Sequence, residues 1–236
     1  MLADSLTEAA SGAFDTNLHQ PATFFRVVID FIASQLPLWR DDPLRPVVAA
    51  ETALTAQLCR FLNHATRRAN LDHIVFQTEV PDAVAPSRTL DLAPAPVGKP
   101  IWIGERRYGY YDSLIPIECK RLPTPKRKKP ERREYLYTLN GRKGGVQRFK
   151  EELHGGDHEN GAVIAYVETQ TNAAWFNTVN RWVGGLVRRS VQNWAATDKL
   201  ALLRNDQAGR VLLAQSCNSR KSRGAITLWH IWIEMK

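Results

Sequence analysis

Apolar residues recur at three- and four-residue spacing from Pro21 onward, with Phe24, Phe25, Val28, Ile29 and Ile32 on one helical face. Pro37 and Pro43, with Asp41 and Asp42 between them, read as a loop that ends this pattern. A second amphipathic helix is predicted from Val48 to about Arg68, its apolar face carrying Leu54, Leu58, Phe61, Leu62 and Ala65. Glu51 lies one turn before Leu54 and Thr55, where an acidic side chain suits the positive end of the helix dipole. Three strands follow, rich in β-branched residues and bounded by Pro and Gly: His73 to Val80, Arg88 to Leu92, and Leu114 to Lys120. A polar, Tyr- and Gly-rich hairpin around Ile101-Trp102-Ile103 precedes the third.

Residues 121 to 134 are basic and punctuated by Pro123, Pro125 and Pro130, which excludes a central strand or a continuous helix. Beyond them the pattern predicts a helix from Val146 to Leu153, closed by His154-Gly155-Gly156, and a buried strand from Ala162 to Val167. A long helix from Asn172 to Trp194 and two last strands, Val211 to Cys217 and Ala225 to Glu234, complete the chain. This order of elements describes an α/β fold with a central mixed sheet flanked by helices. The expected organisation is an N-terminal helical extension over residues 1–45, with a small, polar first stretch, packed on a single domain of residues 46–236.

Composition sharpens this picture in two respects. Hydrophobic residues make up 44% of the 236 positions and charged residues 24%, ordinary globular usage that excludes disorder and fibrous structure. Lys and Arg outnumber Asp and Glu by 32 to 24, for a net charge of +8, which favours a polyanionic partner and most simply nucleic acid. Cys59, Cys119 and Cys217 are odd in number and form no CxxC pair, so three reduced thiols are expected rather than disulfides or a zinc site. The first residues lack the features of a signal peptide, and every apolar run is too short for a bilayer. The expectation is a cytoplasmic protein without membrane contact.

The chemistry concentrates on two carboxylates in apolar strands, Leu90-Asp91-Leu92 and Ile115-Pro116-Ile117-Glu118. Burying a carboxylate is costly unless it is paired or binds a cation. Two such strands side by side can present both groups to a hard cation such as Mg²⁺. Lys120 shares the side of Glu118, because side chains alternate along a strand. Cys119 points the other way, leaving its backbone carbonyl as a further oxygen donor. A plainer alternative is that Glu118 and Lys120 form an edge-strand ion pair while Asp91 merely ends a strand.

Asp91 followed by Glu118-Cys119-Lys120 on the next core strand resembles the PD-(D/E)XK nuclease superfamily. The resemblance covers about residues 46 to 170. It departs at residue 90, Leu where the motif has Pro, and in the 27-residue spacing from Asp91 to Glu118, which implies an inserted hairpin around residues 95 to 112. It implies a restriction-endonuclease-like core in which Asp91, Glu118, the Cys119 carbonyl and Glu51 ligate Mg²⁺, or Mn²⁺ in its place. Lys120 would orient the attacking water, and Gln147 on the following helix would join the site. The implied activity is DNA endonuclease, with a restriction or mobile-element-defence role suggested by the kind of family. The alternative is a non-catalytic nucleic-acid-binding or assembly subunit that keeps the fold.

The basic residues Lys126, Arg127, Lys128, Lys129, Arg132 and Arg133 are the expected grip on phosphates, extended by Arg142, Lys143 and Arg148. DNA is the expected polymer ahead of RNA, and a homodimer or partner subunits fit double-strand cutting. Arg220, Lys221 and Arg223 are candidates to lie nearby. The group His154, Asp157 and His158 could hold a metal, but reads better as a helix-terminating loop. Trp229 and Trp232 read as buried strand positions, and His64, His73 and His230 as structural or surface residues.

Overall fold

A computed structural model describes residues 18–125, 133–139 and 143–236. The elements are β1 (Leu18–His19), α1 (Pro21–Arg40), α2 (Glu51–Thr66), β2 (Ile74–Pro81), β3 (Thr89–Pro96), β4 (Ile101–Ile103), β5 (Arg106–Tyr108) and β6 (Ile117–Leu122). They continue as α3 (Gly145–Lys150), β7 (Asn160–Val167), α4 (Asn172–Arg188), β8 (Ala201–Asp206), β9 (Val211–Asn218) and β10 (Ile226–Glu234).

Seven strands form one mixed sheet in the order β2-β3-β6-β7-β10-β9-β8. Strands β6, β7 and β10 run parallel, while β2–β3, β3–β6, β10–β9 and β9–β8 pair antiparallel. The central strands β7 and β10 are buried almost throughout, as expected of strands covered on both faces. On one face α1 and α2 bury Ile29, Ile32, Leu36, Leu58 and Leu62 against Ile117, Ile164 and Ile231. On the other, Phe149 of α3 and Val179 and Val183 of α4 cover Val163, Ala165 and Trp232. The mixed sheet flanked by helices is thus the observed architecture. The inserted hairpin is β4–β5, which with β1 makes a separate three-stranded sheet.

Several boundaries depart from the sequence reading. Pro37 lies inside α1, whose last turn is retained because Leu36 and Trp39 are buried, Trp39 against Tyr166. Pro94 does not end β3, which runs on to Pro96 beside β2. The helix α3 stops at Lys150 and α4 at Arg188, where Ser190 and Asn193 take positive φ and turn the chain. Strand β8 carries no sequence signal, since all six of its residues are exposed and no apolar alternation marks it. No helix among the described residues is long and apolar enough to cross a membrane.

Candidate active site at a fork between two strands

The site arises where β3 and β6 part. Within the strands they pair at Leu92 and Ile117 alone, so the N–H groups of Cys119 and Arg121 lose the strand partner they would otherwise have. Two carboxylates take its place. Asp91 Oδ2 accepts the Cys119 N–H at 2.8 Å, and Glu51 Oε2, from the first turn of α2, accepts the Arg121 N–H at 2.8 Å. The opening between the strands admits the Lys120 side chain. Its ammonium lies 3.1 Å from Asp91 Oδ2, 3.2 Å from Glu51 Oε1 and 3.2 Å from Glu118 Oε2, and donates to the Cys119 carbonyl at 2.9 Å.

Glu118 is fully buried, and both of its oxygens are engaged. Arg148 donates to Oε2 at 2.9 Å, and His154 Nδ1 meets Oε1 in a short hydrogen bond. Burial alone would raise this carboxyl, but Lys120, His154 and Arg148 outweigh it and bring it down to about 2. Asp91 goes the other way: burial and the neighbouring Glu118 raise it to about 6, against the pull of Lys120. Burial opposes the charge of Lys120, yet Glu118, Asp91 and Glu51 hold its pKa well above the ordinary value. One member of the carboxylate pair is thus held ionised while the other sits near the border of ionisation. Cys119 points to the opposite face, where burial raises its thiol strongly and leaves it inert.

Two clefts meet at this fork and share Thr89 and Asp91. One, of about 490 Å³, is acidic, with Glu51, Glu79 and Asp91 in its lining. The other, of about 580 Å³, is basic, with Arg88, Lys143, Arg148 and His154. Glu79 lies beside Asp91 on β2 with φ at +54°, a left-handed conformation uncommon for a non-glycine residue in a strand.

Asp91, Glu51, Glu118, Lys120 and the Cys119 carbonyl therefore converge. Gln147 does not join them. Its Oε1 accepts the Thr138 N–H at 3.0 Å and its Nε2 donates to Glu151 at 2.8 Å, so it ties down the segment before α3. The next residue, Arg148, faces Glu118 instead. Lys143 lines the basic cleft, and Arg133 lies over the Trp182 ring at 5.7 Å. Lys126, Arg127, Lys128, Lys129, Arg132 and Arg142 lie outside the described residues. Arg220 donates to the carbonyls of Gly156 and His158, which makes it a brace of the turn after α3.

No protein-family model matches this chain, and neither a curated protein nor a solved structure is detectably similar to it.

His154 is the residue that the sequence reading left outside the site. His154, Asp157 and His158 do not gather around one point: His154 reaches Glu118, while Asp157 pairs with Arg106 at 2.7 Å and lies 3.5 Å from His158, which packs beside Tyr108. The turn is set by Gly155, at φ +60° and so close to Pro116 that an added Cβ would lie 2.6 Å from Pro116 Cγ. Asp82 anchors the same turn by accepting the Gly155 N–H at 2.7 Å. A Gly-Gly pair directly after a histidine was the available signal that this turn is tightly placed.

Proposed function

We propose that this protein is a divalent-metal-dependent nuclease, a phosphodiester hydrolase of the PD-(D/E)XK kind, with DNA ahead of RNA as substrate. The observation that carries the reading is the convergence of three carboxylates and one backbone carbonyl on a single cationic centre at the floor of a half-acidic, half-basic cleft. In the structure described, that centre is the Lys120 ammonium. Among the described residues no group of three or more His, Cys, Asp and Glu side chains stands as a ready-made metal cage. The donor set itself is all oxygen, which suits Mg²⁺ or Mn²⁺ rather than a softer metal. Asp91, Glu51, Glu118 and the Cys119 carbonyl are the residues that would hold the ion.

When bound, the metal would activate a water and offset charge on the scissile phosphate. The residues of the chain have separate tasks around it. Lys120 keeps a positive charge at the fork and steadies an anionic oxygen there. Arg148, with Lys143 and Arg88, draws the phosphodiester into the basic cleft. His154 fixes the Glu118 carboxylate in one orientation.

A second reading has its own support. Glu118 has both oxygens engaged by cationic or polar partners, so the cluster is also complete as a structural ion-pair network. A nucleic-acid-binding or assembly subunit without catalysis would look the same. Plasmid DNA and RNA cleavage, with Mg²⁺ or Mn²⁺ and then with EDTA, separates the two. The nuclease reading expects metal-dependent cleavage that Asp91→Asn removes; cleavage that is equal in EDTA, or none in either metal, overturns it.

A further inference from the structure

Away from the carboxylate fork, a cleft of about 410 Å³ opens at the C-terminal ends of the parallel strands β6 and β7. That is where open α/β sheets commonly place ligands. Pro123, directly after β6, and Thr169, after β7, form one side of it, and Trp175, Thr178 and Trp182 of α4 form the other. These three α4 residues recur at helical spacing and so share one face. Trp175 is buried and anchored, its indole N–H donating to the Thr169 carbonyl, and it meets Trp182 edge-on at 5.8 Å between ring centres. Trp182 is only partly buried and presents its indole to the cleft.

Arg133 stands over that ring at 5.7 Å to the centroid. Flat groups in van der Waals contact lie ~3.5 Å apart, so a planar ring between the two needs about 7 Å, and a shift of roughly 1 Å in a long, flexible side chain provides it. Burial and the nearby Arg189 guanidinium pull Arg133 below the ordinary arginine value. Among the described residues no salt bridge involves either guanidinium, so the Arg133 charge borders the aromatic slot and a second, Arg189, lies near it. A tryptophan face for stacking beside cations for phosphate is the combination that single-stranded nucleic acid requires.

We propose that the cleft formed by Trp175, Trp182, Arg133 and Pro123 binds an unpaired nucleobase, stacked on Trp182, while Arg133 engages its flanking phosphate. This deepens the nuclease reading and rests on its nucleic-acid substrate. Pro123 is three residues beyond Lys120, about 10 Å of backbone at strand rise, so the fork and the cleft are served by the same strand and one bound strand can reach both. The base held in the cleft would therefore lie a few nucleotides from the scissile bond, and the site would favour substrates with a frayed, flapped or single-stranded element there.

The test is binding in EDTA, so that no cleavage is required. Labelled single strands of DNA and of RNA, and a DNA strand of equal length with abasic positions, are titrated with the full chain and with Trp182→Ala. The expected result is a loss of about 5- to 150-fold for the base-containing strand, none for the abasic strand, and near-complete retention in Trp182→Phe. Whichever polymer shows the loss is the one recognised. Equal binding by the parent and Trp182→Ala, an equal loss on the abasic strand, or no binding by the parent overturns the proposal. Should Trp182→Ala fail to fold, photo-crosslinking of an iodouracil-substituted strand to the parent protein decides, with attachment at Trp182 expected and attachment only elsewhere contrary. Failure of cleavage with binding intact would count against the nuclease reading alone.

Discussion

Asp91→Asn should make the metal-free protein more stable and, at the same time, inactive. In the folded chain burial and Glu118 raise the Asp91 carboxyl from 3.8 to about 6. The folded state thus holds this proton more tightly than the unfolded chain does. The stability linked to it is fully present below about pH 4 and is lost as pH rises through about 6. The full displacement corresponds to at most ~3 kcal/mol. Because 28% of the Asp91 side chain remains exposed, a gain of about 1–2 kcal/mol is the better expectation. Asparagine mimics the protonated carboxyl, keeps an oxygen for the Cys119 N–H, and leaves Lys120 two other carboxylates. For a chain of this size the gain is several °C of melting temperature, at about 2–4 °C per kcal/mol. Urea unfolding followed by tryptophan fluorescence at about pH 4 and about pH 8 reads it directly. The variant should match the parent in acid and exceed it in alkali, and Mg²⁺ should stabilise the parent more than the variant. An identical difference at both pH values, or a less stable variant at alkaline pH, would refute the reasoning.

Further outcomes follow from the same geometry. Lys120→Ala should abolish cleavage and also cost about 3–5 kcal/mol in urea unfolding, because it strips the shared cation from three carboxylates. A variant as stable as the parent would show that water already screens the cluster. Gln147→Ala should keep cleavage close to the parent level while losing about 1–3 kcal/mol, since it leaves the buried Thr138 N–H without its acceptor. A selective loss of activity at full stability would restore Gln147 to the catalytic group. Arg148→Ala should weaken DNA binding and flatten its dependence on salt concentration by roughly one phosphate contact; an unchanged slope would remove Arg148 from the phosphate track.

The parts of the site legible in the sequence were those in which a local rule is violated. Asp91 and Glu118 stood out because a carboxylate in an apolar strand is costly, and Lys120 followed from the two-residue period. Glu51 was placed by its position in the first turn of a well-patterned helix. The missing part depends on contacts between distant segments. His154 reaches Glu118 across 36 residues through a turn set by Gly155 and Asp82. Arg148, not Gln147, faces Glu118, and the sequence did not show this because α3 has only six residues, too few for its own pattern to define a face. Its orientation comes instead from Gly144, where an added Cβ would lie 2.6 Å from the Leu136 carbonyl. Pro37 and Pro94 read as breakers locally and were overridden by burial and by pairing with β2. Strand β8 left no trace because it buries nothing.

The fork between β3 and β6 also has a mechanical meaning. With one residue pair joining the two strands, the grip of the β2–β3 ribbon on β6 depends on the Asp91 carboxylate, which accepts the Cys119 N–H, while Glu51 ties α2 to the same strand by accepting the Arg121 N–H. Such a seam responds to charge. Protonating Asp91, or drawing Asp91 and Glu51 toward a cation, alters the grip of the ribbon and of α2 on β6 as well as the chemistry between them. The amides of Cys119 and Arg121 should therefore exchange with solvent at rates that change with pH and divalent cation, while the β6 amides paired to β7 do not. In that sense the seam that positions the reactive groups is also the hinge that reports their state.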